Sequence, residues 1–395
     1  MMDERTALLE SLRKYRTTAE LRQSGFYAEC RNHLGSFLET PQLYCSPGAA
    51  PRLDSFLRIA QWNIEKGKRF DAILERLRDD EILRWADVIL VNEADHGMLR
   101  SQNRHVARSL AESLGMNMAF APAHFELTMG TGDELTLEGD NGESLQGNAI
   151  LSRYPFLEAC VTTLPVTFEP YEFHEKRFGR RNCLWVRIPL KNSSLWVGSV
   201  HLELRNTPGD RARQVRHIME HLPGEGKGAY ILGGDLNTNG FGRGTPWRTV
   251  RSIARLVFHP ASSMREAMLH PERGREPLFK VLKKHGFSWE GFNSGGETAR
   301  AAIDSIEEAM LLPEFLKNWI KARLEPYNGF LCFKLDWLTG KQVQALKRGQ
   351  KRDIPTGVVS MEPACLKGDN SSPSRPSDHL PIYADLIIDF EGASP

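Results

Sequence analysis

The 395-residue sequence predicts a layered fold of packed β-sheets with helices on the outside. Two observations carry this expectation. Short apolar runs of strand length alternate along the chain with segments of helical periodicity. Several of those runs (LRIA, ADVILV, SLWVGSV, AYILG) also end at a carboxylate, an amide or an imidazole. The polar groups form five clusters in order: Gln61-Trp62-Asn63, Asn92-Glu93, His201-Leu202-Glu203, Gly234-Asp235-Leu236-Asn237 and Ser377-Asp378-His379. Strands that end in this way deliver polar groups to one end of a sheet, as a hydrolytic site requires. Periodicity alone leaves a single doubly wound sheet open as the alternative.

Taken in order, residues 1 to 40 read as helical, with apolar positions at Leu8, Leu9, Leu12, Tyr27, Cys30, Leu34 and Phe37. A connector rich in Pro and Gly follows, so residues 1–50 are expected to be an N-terminal helical extension and residues 51–395 the main domain. From Leu57 the pattern predicts a strand to Trp62, a helix around 70 to 85, a strand over 87 to 92 and a helix around 103 to 114. Residues 125 to 146 are acidic and Gly-rich and read as a loop or hairpin. Strands are expected over 147–152, 156–163, 182–190 and 194–200, then a helix over 209–221 and a strand leading to Asp235. A mostly helical insertion punctuated by prolines is expected at about 240–330, with strands resuming over 331–338, 357–361 and 380–389.

Composition narrows the class. A content of 41% hydrophobic residues supports a sizeable core, and 26% charged residues argue for a soluble protein. No apolar run approaches the roughly 18 residues needed to span a bilayer. The start, MMDERTALLESLRKYR, lacks the apolar centre of a secretory signal, so the expected location is cytoplasmic. Six scattered cysteines with no C-x-x-C spacing suggest neither a zinc site nor a disulfide framework. The formal net charge of +1 removes global attraction to polyanions as an argument. Locally, residues 243 to 300 hold 11 Lys and Arg against 5 Asp and Glu.

The strings IAQWNIEKG, VILVNEAD, GNAILSRYP, VGSVHLE, ILGGDLNTN, FKLDWL and SDHLPIYADL occur in this order between residues 57 and 389. In this the chain resembles the endonuclease/exonuclease/phosphatase superfamily, the deoxyribonuclease-I-like metal-dependent phosphoesterases. The resemblance implies an α+β fold, a four-layer αββα sandwich with two packed, mainly antiparallel sheets. It also implies hydrolysis of phosphoester bonds with Mg²⁺ as cofactor, Mn²⁺ being the substitute. A hard oxygen ligand such as Glu93 suits Mg²⁺, which keeps several waters and takes one or two carboxylates from protein. By resemblance Glu93 is the main metal ligand, Asn63 supplies an amide to metal or phosphate, and Asp378 lies at the metal or the nucleophile.

Asp235 and Asn237 correspond to the pair that orients the attacking water and binds the transition-state phosphate, although Gly-Gly-Asp-Leu-Asn-Thr-Asn-Gly is also good turn chemistry. Imidazole titrates near neutral pH, which marks His379 for acid/base work. The resemblance makes Asp336 its partner and gives His201 a role in stabilising the phosphoryl transition state. Arg177, Arg180 and Arg181 either clamp phosphate or form a solvated hairpin tip. Trp247, Arg248, Arg251 and Arg255 fall at helical spacing and either track a polyanionic backbone or face water. No catalytic tyrosine of the abasic-site endonuclease type is matched, Tyr154 fitting poorly, and the inositol phosphatase signatures are missing.

The leading expectation is a Mg²⁺-dependent phosphodiesterase or nuclease, with a phosphoester substrate, nucleic acid ahead of lipid. A sphingomyelinase-like or phosphoinositide-like lipid hydrolase is the alternative; it would predict an exposed apolar rim near the site, and none is obvious in the sequence. A catalytically silent binding module is the third reading, against which the joint presence of seven site residues argues.

Overall fold

A computed structural model describes residues 2–53, 56–243, 246–306, 312–346, 351–354, 357–360, 364–365 and 375–387. The end of the expected strand over 380–389 lies outside them. The chain begins with α1 (Met2–Arg13), α2 (Thr18–Gln23), α3 (Gly25–Glu39) and β1 (Gln42–Tyr44). There follow β2 (Leu57–Asn63), α4 (Phe70–Asp79), β3 (Val88–His96), α5 (Val106–Leu114), β4 (Asn117–Glu126) and β5 (Leu145–Ser152). The second half starts with β6 (Glu158–Thr163), β7 (Arg177–Gly179), β8 (Asn182–Pro189), β9 (Ser194–His201), α6 (Pro208–Glu220) and β10 (Ala229–Asp235). The insertion carries α7 (Pro246–Phe258), α8 (Ala261–Leu269), α9 (Leu278–Lys284), β11 (Ala299–Ala302), α10 (Glu314–Leu324) and β12 (Phe330–Phe333). It returns to β13 (Asp336–Lys341), β14 (Lys351–Ile354), β15 (Gly357–Ser360), β16 (Ala364–Cys365) and β17 (Ile382–Leu386).

One sheet has the order β1-β4-β5-β3-β2-β17-β16, with β7 also paired to β4; the other has the order β13-β10-β9-β8-β6. Each holds one parallel pair, β2 with β3 and β9 with β10, and antiparallel pairing elsewhere. A parallel pair needs a long crossover, and α4 and α6 supply it in the two sheets.

Side-chain alternation builds the layers. Leu57 and Ile59 of β2, Val88 and Leu90 of β3, Leu195 and Val197 of β9 and Ile231 of β10 meet between the sheets. The residues of opposite phase face outward. Ala60, Trp62, Ile89 and Val91 pack under α4 and α5, while Trp196, Tyr230 and Leu232 pack under α6 and α9. Four layers, αββα, result. Helices α1 to α3 bury Leu8, Leu9, Leu12, Leu21 and Leu34 against Phe125, Leu127 and Leu145.

Two expectations are corrected. The single strand expected over 331–338 is two: β12 pairs with β11, and β13 pairs with β10. The chain changes sheets at Lys334-Leu335, where the Thr298 hydroxyl accepts from the amides of Leu335 and Asp336. The pattern also misses β4, a wholly buried ten-residue strand, because Pro122 and His124 break its apolar run; a register shift marks that point.

Candidate active site

The inward-facing phase of each central strand changes from apolar to polar at the same end of the sandwich. In β2 it runs Leu57, Ile59, Gln61, Asn63; in β3 Val88, Leu90, Asn92; in β9 Leu195, Val197, Ser199, His201; and in β10 Ile231, Gly233, Asp235. In β13 Asp336 precedes Leu338. Asp235 is in register with both His201 and Asp336, so three site residues lie side by side across one sheet.

A buried amide network joins the two sheets beneath them. Gln61 Nε2 donates to Asn92 Oδ1 at 3.1 Å and to Asp336 Oδ1 at 3.0 Å. Asn92 Oδ1 also accepts from the Asp235 amide at 2.8 Å, and Asn92 Nδ2 donates to Asn148 at 2.8 Å. These amides went unassigned in the sequence, although Gln61 and Asn92 share the inward phase of the catalytic candidates.

Glu93 is out of phase and reaches the site by another device. The pairing of β3 with β5 slips between Val91 and Ala94, and Glu93 sits in the left-handed region at φ 55°. This bulge turns the carboxylate toward the cleft, where its side chain is 24% exposed. Asn63 Nδ2 donates to Glu93 Oε1 at 3.3 Å and to Asp235 Oδ2 at 3.1 Å. The Asn63 amide oxygen accepts from the Glu65 backbone at 3.2 Å, so Asn63 stands between the two carboxylates.

His379 is positioned by Ser377, whose hydroxyl donates to Asn63 O at 2.7 Å and accepts from the His379 amide. The His379 Nδ1 and Asp336 Oδ2 atoms are 2.7 Å apart, and His379 Nε2 lies 3.9 Å from Asp235 Oδ2. Burial works against the imidazolium, but the carboxylates of Asp336 and Asp235 outweigh it and hold the His379 pKa well above its ordinary value.

His201 is tuned the other way. Arg181 Nη1 stands 2.8 Å from His201 Nδ1. A guanidinium only donates, so Nδ1 accepts and the proton resides on Nε2, 3.4 Å from Asp235 Oδ2. Burial and the charge of Arg181 hold this imidazole well below its ordinary pKa and therefore neutral. Asp235 is the hub: burial, with the charges of Asp336 and Glu93, pushes its carboxyl up to about 7 against the pull of His379. Asn237, at φ 51°, closes an Asx turn by donating its amide to Asp235 Oδ1 at 2.9 Å, and its side chain donates to Leu202 O at 2.8 Å. Turn chemistry and site placement hold together.

The remaining candidates divide. Asp378 lines the cleft, its pKa raised by burial and by the charges of Glu65 and Glu93. Arg177 also lines it, 4.0 Å from Glu126 and 3.9 Å from Glu175. Arg180 does not. It is exposed and lines a separate groove beside α2 and α3; Arg181 takes the inward place. Lys66, which the sequence did not single out, lines the cleft and pairs with Glu134 at 3.0 Å and Glu175 at 3.2 Å.

Among the described residues, no group of three or more His, Cys, Asp or Glu side chains forms a ready metal cage. The donor chemistry nevertheless fits a hard cation that needs one or two carboxylates. Glu93, Asp235 and Asp378 line one cleft; burial raises the pKa values of Asp235 and Asp378, and neighbouring carboxylates add to the rise, a charge that a bound divalent ion would relieve.

The cleft measures about 580 Å³. Part of its lining is an apolar wall formed by Phe241, Ile303, Leu312, Leu331, Phe333 and Leu335. That wall exists because β11 and β12, about 30 residues apart, pair with each other.

The chain belongs to the Endonuclease/Exonuclease/phosphatase family, whose model it matches over residues 60–379. Members of this family are typically phosphoester hydrolases. Among solved structures, the chain is similar to an endonuclease/exonuclease/phosphatase from Beutenbergia cavernae DSM 12333, at 17% identity and TM-score 0.45, over 85% of this chain and 72% of that one. It is similar to the human Nocturnin catalytic domain with bound sulfate at 15% identity and TM-score 0.43, over 88% and 96% of the two chains. D. rerio TDP2 complexed with a single-strand DNA product is similar at 16% identity and TM-score 0.42, over 84% and 99%. No curated protein sequence matches significantly.

Proposed function

We propose that the chain is a divalent-metal-dependent phosphodiesterase, with nucleic acid as substrate, that cleaves P–O bonds by water attack. The observation that carries the reading is the opposed tuning of two imidazoles around one carboxylate: His379 held cationic by Asp336, His201 held neutral by Arg181, both facing Asp235.

Each group then has a task. Asp235, with a pKa of about 7, is poised to take a proton from the attacking water. His379 has a proton at Nε2 to give to a phosphoryl or leaving oxygen, and Asp336 steadies the charge. His201 donates through Nε2 to a developing phosphoryl charge. Asn63 and Asn237 fix the two carboxylates. Glu93 and Asp378 would hold Mg²⁺ or Mn²⁺, which when bound supplies charge neutralisation on the phosphoryl oxygens.

The apolar wall supports a second reading, a lipid phosphodiesterase, because it gives the cleft an apolar surface for an acyl chain, but its residues are buried or half-buried and form no exposed rim. The same wall, with Phe241 and Phe333, also offers stacking surface for bases. A panel of single- and double-stranded DNA, RNA, sphingomyelin, inositol phosphates and bis(4-nitrophenyl) phosphate, each with Mg²⁺ and with EDTA, separates them. Turnover of nucleic acid that EDTA abolishes is the expected result. Turnover of sphingomyelin alone would replace the first reading with the second.

A further inference from the structure

Beside the cleft lies a second cavity of about 600 Å³. Arg248, Arg251 and Arg255 recur along α7 at helical spacing and line one side of it; Arg275 comes in from the segment before α9. A solvated helix face would spread such charges into water. Here they converge on one concavity. No Asp or Glu lines it among the described residues. At its rim the carboxylate of Asp210 is 3.9 Å from Arg248 and also accepts from the Thr207 amide and hydroxyl at 3.1 and 2.7 Å. Arg255 donates to Gly240 O at 3.4 Å. Burial, and the like charge of Arg255, lower the pKa of Arg275, as expected where guanidinium groups gather.

We propose that this arginine-lined cavity binds a non-scissile phosphate of a nucleic-acid strand whose scissile phosphate lies at Asp235 and His379. The inference rests on the phosphodiesterase reading and deepens it. Planar guanidinium forks match phosphate oxygens. Gly240, on the cavity wall, is three residues past Asn237, so their Cα atoms are at most about 11 Å apart. Ser252 lines both spaces. A strand that presents phosphates in series can occupy both at once, whereas a lipid with one phosphodiester cannot. Trp247, 77% exposed and adjacent to Arg248, adds a stacking surface for a base.

The test is fluorescence anisotropy of a short single-stranded oligodeoxynucleotide with the full chain in EDTA, which prevents turnover, across a salt series. Arg251→Gln together with Arg255→Gln should weaken binding at least tenfold and flatten the slope of log affinity against log salt by about 0.7 for each phosphate no longer neutralised. If the pair fails to fold, as judged by its melting temperature, Arg251→Gln alone carries the test, since that side chain is exposed. Affinity and slope equal to wild type would overturn the proposal. So would equal displacement of the oligonucleotide by millimolar inorganic phosphate or by anionic phosphatidylserine vesicles, because either would show a site that does not select a strand. Wild-type hydrolysis of bis(4-nitrophenyl) phosphate with Mg²⁺ is read in parallel. Its absence would sink the phosphodiesterase reading, whereas its presence with unaltered variant anisotropy would sink only the cavity.

Discussion

Arg181 Nη1 donates to His201 Nδ1 across 2.8 Å, and this hydrogen bond decides which nitrogen of His201 carries a proton. Glu203, 3.5 Å from Arg181, helps to hold the guanidinium in place. Replacing Arg181 with Met should lower kcat by about 10- to 100-fold, because His201 loses its fixed tautomer. The sign of the pH effect also follows. Arg181 depresses the His201 pKa, so its removal should raise that pKa, as read from the His201 ring resonances in an NMR pH titration. A His201 pKa left in place in Arg181→Met would show that Arg181 does not set the state of His201.

His379 and Asp336 form the other half of the pair. His379→Ala should cost about 10²- to 10⁴-fold in turnover while the protein remains folded. Asp336→Asn should approach the same loss, since the neutral amide no longer favours the imidazolium. Circular dichroism beside steady-state rates checks both. A variant that unfolds would assign the residue to structure instead.

Gly234 precedes the hub residue and has φ 151°, with an added Cβ falling 1.7 Å from Val200 O. Gly234→Ala should therefore cost on the order of 3 kcal/mol, visible as a lower urea midpoint. An unchanged midpoint would show that β9 and β10 can part without loss.

Glu126 is buried beneath the cleft, its carboxylate oxygens without hydrogen-bond partners among the described residues. Burial pushes its pKa up to about 7 against the charges of Arg177 and Arg100. A raised pKa makes the protonated form the one the fold prefers. Its stabilising contribution is complete below the ordinary value of 4.5 and is lost as pH rises through about 7. Glu126→Gln should thus melt at a higher temperature than wild type at pH 8 and show no such gain at pH 4. The opposite pH trend would mean that Arg100 and Arg177 outweigh burial.

Much of the site was legible because strand alternation has a period of two. Once Ile59, Leu90, Val197 and Ile231 are placed in the core, Gln61, Asn63, Asn92, His201 and Asp235 follow on the same face. The orientation of Glu93 was not legible, since it depends on a bulge. Nor was the choice of Arg181 over Arg180, two neighbours in one basic cluster that face different grooves. The apolar wall was hidden for another reason: Ala299 and Phe333, which both line the cleft, become neighbours only when β11 pairs with β12. A similar limit held for the second cavity, where α7 reads as an ordinary amphipathic helix until Arg275 is placed opposite it.

The rate of bis(4-nitrophenyl) phosphate hydrolysis in Mg²⁺, measured for the wild type, for the wild type in EDTA and for Glu93→Gln, tests the central claim most directly. The arrangement of Glu93, Asp235, Asp336 and His379 predicts turnover in the first case and its near-complete loss in the other two, with activity returning when Mg²⁺ is restored to the wild type only. Hydrolysis that survives both EDTA and Glu93→Gln would contradict a single metal-assisted centre at the end of the two sheets.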